Sequence, residues 1–173
     1  MRQPRDKGDS SANRLWLSVI HLMFKVAGHT RPLLAEHGLT GPQWAVMHNL
    51  VRSGPEGMRL SDLSRRLQVT EGNVTGLVDR LEEAGMVART PSPDDRRVVM
   101  ARLTLPGEEL AARVTPLFLR RLAKLFAALP SADRDALADT LERLTQQVEE
   151  AGAACQDESA AVPAAGKRDV EGQ

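Results

Sequence analysis

Between positions 12 and 36 the apolar residues Leu15, Trp16, Val19, Ile20, Met23, Phe24, Val26 and Ala27 return every three or four places. That period predicts a helix with one apolar stripe, capped at its start by Ser11 or Asn13. Gly28 and Pro32 interrupt the pattern and predict a bend or a weakened turn. In Leu39-Thr40-Gly41-Pro42 a cap is followed by a proline in the first turn. A second helix opens there and carries Trp44, Val46, Met47, Leu50 and Val51. Ser53-Gly54-Pro55-Glu56-Gly57 stops it.

The next stretch changes period several times within about 45 residues. Leu60, Leu63 and Leu67 form the buried stripe of a short helix begun by Arg59 or Ser61, and Val69 fills the turn after it. Thr70 caps a further helix, with Glu71 in the first turn where the helix dipole favours an acid. Val74, Leu77, Val78 and Leu81 are its inner face, and Gly85 closes it as a left-handed cap. The β-branched segments Met86 to Thr90 and Val98 to Leu105 flank a loop from Pro91 to Arg97, as the strands of a hairpin should. Helix, turn, helix and hairpin in that order make a winged helix-turn-helix, which sets one helix in the major groove of DNA with a charged hairpin tip beside it.

Pro106-Gly107-Glu108-Glu109 opens a long helix through Leu110, Val114, Leu117, Phe118, Leu122, Leu125 and Phe126, with a kink expected at Pro116. Pro130-Ser131-Ala132-Asp133 opens a last one, with Leu137, Leu141, Leu144 and Val148 inward. From Ala151 no period survives, and Gln156 to Gln173 reads as a disordered tail. The fold class is therefore mostly α (α+β), with about six helices and one β-hairpin wing. The expected organisation is a disordered N-terminus over 1–11, a helical dimerisation region over 12–38 and 106–150, a winged lobe over 39–105, and a disordered tail over 151–173.

Composition adds limits. The chain has 173 residues, 42% hydrophobic and only 3% aromatic, so its core is aliphatic. One cysteine, Cys155, excludes an internal disulfide framework and fits a reducing compartment. No apolar run approaches the roughly 20 residues that cross a bilayer, and the polar Met1 to Asn13 carries no secretion signal; a cytoplasmic location is expected. Formal net charge is +0. Between Met58 and Leu105 eight arginines oppose seven acids, a balance of +1, and no lysine is present. A DNA binder with that balance must sort its charges by face. The neutral balance also keeps open a reading from another class, a winged helix used as a protein-interaction module. No nucleophile elbow, phosphate-binding loop, metal cluster or carboxylate pair is visible, so neither an enzyme nor a cofactor site is expected. His21, His29 and His37 do not form a metal site, because each eight-residue step turns about 80° around a helix.

Several segments together resemble the MarR family of bacterial transcription regulators. These are the proline-opened helix with Gln43-Trp44, the segment Leu60-Ser61-Asp62-Leu63, and the run from Thr70 to Leu81 continuing through Glu82-Glu83-Ala84-Gly85-Met86-Val87. Asp95-Arg96-Arg97 followed by Leu103-Thr104 and Gly107 matches the family's Asp-x-Arg wing signature. The resemblance covers about Ala12 to Glu150. It implies a homodimer joined by the first helix and the last two, a winged lobe on each side, and a small aromatic, anionic or lipophilic ligand between the regions that lowers DNA affinity. It also implies that Arg97 enters the minor groove, with Asp95 orienting it. The physics agrees, since a narrow A·T minor groove concentrates negative potential.

The site residues follow. Gly72 and Gly76 each cost about 1 kcal/mol within a helix relative to alanine. For Gly76, close helix packing competes evenly with groove contact; for Gly72, in the first turn, the expected role is to let backbone N–H groups reach a phosphate. Asn73 and Thr75 lie off the apolar stripe and are the expected base readers, with Arg80 a phosphate clamp and Thr70 both cap and phosphate contact. Any one of these alone would read as a solvated face. Arg96 is a second wing candidate beside Arg97 and Asp95, and Arg65 a candidate phosphate contact whose plain reading is surface. For a ligand the candidates are Trp16, His21, Phe24, Trp44 and His48, with the histidines receiving an anion when protonated. Trp44 and Phe24 read by default as core. The expected function is a regulator, in the first instance a repressor, that binds a pseudo-palindromic operator as a homodimer and is released by a small ligand.

Overall fold

The computed structural model describes the backbone of residues 7–92, 95 and 98–160, and side chains from Ser10 to Ala151 within that set. Six helices and three strands follow in the order α1 (Lys7–Glu36), α2 (Gly41–Ser53), β1 (Met58–Arg59), α3 (Leu60–Leu67), α4 (Glu71–Glu83), β2 (Val87–Pro91), β3 (Val99–Leu103), α5 (Leu105–Leu125) and α6 (Ser131–Ala160). The chain divides into two compact units, Met1–Leu125 and Phe126–Gln173. No helix among the described residues is long and apolar enough to cross a membrane.

Local chemistry accounts for the element ends. At α2, the Thr40 hydroxyl accepts from the Gln43 N–H while the Gln43 side chain accepts from the Thr40 N–H at 2.9 Å, a reciprocal capping box. Thr70 caps α4 with its hydroxyl alone, accepting from the Asn73 N–H at 3.3 Å. The far end of α4 closes with two backbone bonds, Gly85 N–H to Glu82 and Met86 N–H to Leu81, both 2.8 Å, the pairing of a Schellman motif. Between α3 and α4, Gln68 sits at φ 53°, in the left-handed region, and its side-chain amide donates to the Arg65 carbonyl at 3.0 Å.

The sheet order is β1-β3-β2, antiparallel throughout. Val87 faces Leu103 and Pro91 faces Val99 across the wing hairpin. Met58 pairs with Ala101 and Arg59 with Met100, which adds a third strand to the expected hairpin. Gly57 permits this pairing: its φ is 77°, and a Cβ there would collide with the Ala101 carbonyl oxygen.

The core of the first unit is aliphatic apart from one tryptophan. Trp44, Val46, Met47 and Leu50 of α2, Leu63 of α3, and Val74, Val78 and Leu81 of α4 meet Val87, Ala101, Leu110, Ala111 and Val114. Thr104 joins three elements at the edge of this core. Its hydroxyl donates to the Gly85 carbonyl at 2.6 Å and accepts from the Gly107 N–H at 3.2 Å, and its own N–H reaches Met86. A Cβ at Gly107 would strike the Met86 carbonyl, so the approach of α5 to the end of α4 needs a residue without a side chain.

Several expectations are corrected. α1 begins at Lys7, ahead of both proposed caps, and runs unbroken through Gly28 and Pro32. Proline removes a single helical hydrogen bond, and the buried Leu33 and Leu34 beyond it hold the helix in place. α6 continues to Ala160, into the stretch read as a tail, because alanine, glutamine and glutamate sustain a helix without an apolar period. Residues 161–173 lie outside the described residues. Val69 does not fill its turn but is exposed. Phe24, read by default as core, is 66% exposed, and the α6 residues Leu137, Leu141, Leu144 and Val148, read as inward, are exposed as well. Periodicity identifies an apolar stripe but not what covers it, and among the described residues these side chains are exposed.

Candidate nucleic-acid interface

The inner stripe of α4 fixes its outer face. Val74, Val78 and Leu81 are buried, so at about 100° per residue the exposed Gly72, Asn73, Thr75 and Arg80 fall on other sides of the helix. Gly76 is half-buried. A Cβ at Gly72 or Gly76 would meet no atom within 4 Å. Close packing within the chain therefore does not require glycine at either position. Arg65, Thr70 and Asn73 line one shallow recess with Ser64, Gln68 and Val69, at the turn between α3 and α4. Arg65 is exposed, and its guanidinium donates to Asp62 at 2.7 Å. Such exposed pairs contribute little to stability.

Of the wing signature, Asp95 is exposed and its backbone carbonyl accepts from the Val98 N–H at 2.9 Å. Arg96 and Arg97 lie outside the described residues.

Sequence reasoning missed Arg89. From β2 its guanidinium contacts Asp79 at 2.6 Å and Glu82 at 2.7 Å on α4, and donates to the Thr75 carbonyl at 3.1 Å. Its backbone N–H also donates to Glu82, at 3.1 Å. Partial burial by itself would lower the guanidinium pKa, but the hydrogen bonds to Asp79 and Glu82 outweigh it and raise the value above the ordinary one. Four hydrogen-bonding contacts thus tie the wing to the helix beside it. The signal available in sequence was the cluster Asp79, Glu82 and Arg89 around one helix end, which composition alone read as charge balance.

The five ligand candidates separate in the structure. Trp44, 3% exposed, packs its ring 5.6 Å from that of His48 and 5.5 Å from that of Phe118. Trp44 Nε1 and His48 Nδ1 are buried with no hydrogen-bond partner among the described residues. Phe24 lines a different hollow, with Leu34 and Pro42. Trp16, 61% exposed, and His21 lie on the open face of α1. The expectation of a protonated His48 is also corrected: burial, and then the positive charge of Arg52, push its pKa below the usual 6.5. At neutral pH His48 is an uncharged donor–acceptor.

Comparison with known proteins agrees with this architecture. A family model described as MarR family matches residues 37–98. The uncharacterized HTH-type transcriptional regulator YkoM of Bacillus subtilis is 34% identical over 108 residues, covering 62% of this chain and 69% of that protein. A MarR family transcriptional regulator from Silicibacter pomeroyi superposes with a TM-score of 0.68 at 30% identity, over 83% of this chain and 99% of that one. The structure of NadR in complex with 4-hydroxyphenylacetate gives a TM-score of 0.67 at 26% identity, over 74% of this chain and 89% of that one. With its winged lobe and these relatives, the chain belongs to the MarR family of transcription regulators.

Proposed function

We propose that this protein binds double-stranded DNA as a homodimer, inserts α4 into the major groove of each half of a pseudo-palindromic operator, and represses a nearby gene until a small ligand releases it. The observation that carries the reading is the outer face of α4. Asn73 and Thr75 are exposed there beside Gly72, a residue that costs helix stability and whose missing side chain no close contact among the described residues requires. Asn73 pairs with adenine and Thr75 touches a base edge or a thymine methyl. Thr70, Arg65 and Arg80 take phosphates, while Gly72 and Gly76 let the helix backbone approach. Arg97, positioned by Asp95 and seconded by Arg96, grips the minor groove.

The homodimer follows from uncovered apolar surface. α1 exposes Leu15, Trp16, Leu17, Val19, Leu22, Met23 and Phe24, and α6 exposes Leu137, Leu141, Leu144 and Val148. Two-fold pairing is the commonest way to bury such faces. To read two half-sites of one operator, the pair of α4 helices must lie about one DNA turn apart, about 34–36 Å. For the ligand, the unpartnered Trp44 Nε1 and His48 Nδ1 supply one donor and one neutral hydrogen-bonding group among aromatic rings. NadR is solved with a small aromatic acid, which makes that class the first to try.

The test is a duplex-binding titration at two salt concentrations. Log affinity should fall linearly with log salt, by about 0.9 per phosphate neutralised. Arg97→Ala should weaken binding to all sequences, whereas Asn73→Ala should erode discrimination between operator and random duplex. Salt-independent affinity, or Asn73→Ala with unchanged discrimination, refutes the assignment. A monomer in sedimentation at micromolar concentration refutes the dimer.

A further inference from the structure

We infer that a cavity of about 500 Å³ between α2 and α5 is a binding site for a hydrophobic cation carrying N–H donors, separate from the aromatic cluster around Trp44. Its walls are aliphatic: Leu50 and Val51 at the end of α2, Leu103 at the end of β3, and Ala111 and Ala112 on α5. The one ionisable residue lining it is Glu108, an exposed acid in the first turn of α5. Apart from the Thr115 hydroxyl the lining side chains are apolar, and none carries positive charge, so a carboxylate entering this space would meet the charge of Glu108 with no cation to offset it.

Pro116 lies inside α5 and lines the same cavity as Ala112, one turn earlier, which makes that wall a proline ring and a methyl group. A compact apolar body with an ammonium or amidinium head matches an aliphatic wall with one carboxylate at its rim. The body removes aliphatic surface from water, and the head donates to the Glu108 carboxylate. The volume accommodates a drug-sized molecule.

A matched pair of probes tests this: 1-adamantylammonium and 1-adamantanecarboxylate have the same body and opposite charge. Isothermal titration calorimetry on the full chain should show saturable binding of the ammonium and none of the carboxylate. Glu108→Gln keeps the shape and should weaken the ammonium about tenfold, the loss of one charge-assisted contact. Ala112→Leu, checked for folding by circular dichroism, should abolish binding by filling the space. Equal binding of the two probes, full affinity in Glu108→Gln, or no ammonium binding at millimolar concentration would each overturn the inference. None of these readouts involves DNA.

Discussion

Replacing Arg89 with methionine keeps most of the apolar stem and removes the guanidinium fork. The side chain is 23% exposed, and its partners Asp79 and Glu82 are roughly half exposed, so their attraction is screened and each pair contributes about 0.2–1 kcal/mol. The further hydrogen bond to the Thr75 carbonyl at 3.1 Å has a charged donor and adds about 1 kcal/mol. Together these give a loss of about 1–3 kcal/mol for Arg89→Met. Urea unfolding at fixed protomer concentration should show it as a lower midpoint with an unchanged slope. In a chain of 173 residues the same loss lowers Tm by about 2–10 °C. A double-mutant cycle with Glu82→Gln should return a coupling of about 0.5–1 kcal/mol. A midpoint change worth less than about 0.3 kcal/mol would refute the view that this fork holds the wing against α4.

The other predictions concern glycine, one hydroxyl and one imidazole. Gly72→Ala should raise stability by about 0.5–1 kcal/mol in thermal unfolding, since the helix gains propensity and the new methyl meets nothing within 4 Å, while duplex affinity drops. Gly107→Ala should cost more than about 2 kcal/mol, because the Met86 backbone must yield; a normal denaturation midpoint would count against the close approach described above. Thr104→Val removes the 2.6 Å bond to Gly85 and should cost about 1–2 kcal/mol. His48 has a folded pKa below 6.5, so the unfolded chain binds its proton first. Its contribution is complete above pH 6.5 and is lost as pH falls below that value. Replacing it by glutamine should flatten the decline in stability between pH 7 and pH 5, and an unchanged profile would contradict the depressed pKa.

The helices of the winged lobe were legible in the sequence because their signals are local. Thr40 and Thr70 as caps, Gly85 as terminator and the Val74-Val78-Leu81 stripe are set by residues within a turn or two of one another. What escaped depends on distant partners. β1 is two residues long, and only its pairing with β3 makes it a strand. Arg89 answers acids seven and ten places earlier, across an element boundary. The stripes of α1 and α6 satisfied the same periodicity as the core, yet among the described residues they stay exposed. The charge state of His48 depends on burial and on Arg52, which residue spacing does not encode.

The triple junction at Thr104 has a mechanical consequence. One hydroxyl links the end of the helix proposed to read DNA, the return strand of the flap and the root of the long arm that follows. There is no slack at that joint, since Gly107 abuts Met86 without room for a methyl group. A tilt of the arm would therefore carry the proposed reader and the flap together, so that any DNA grip they have would be lost by re-aiming the head rather than by melting it.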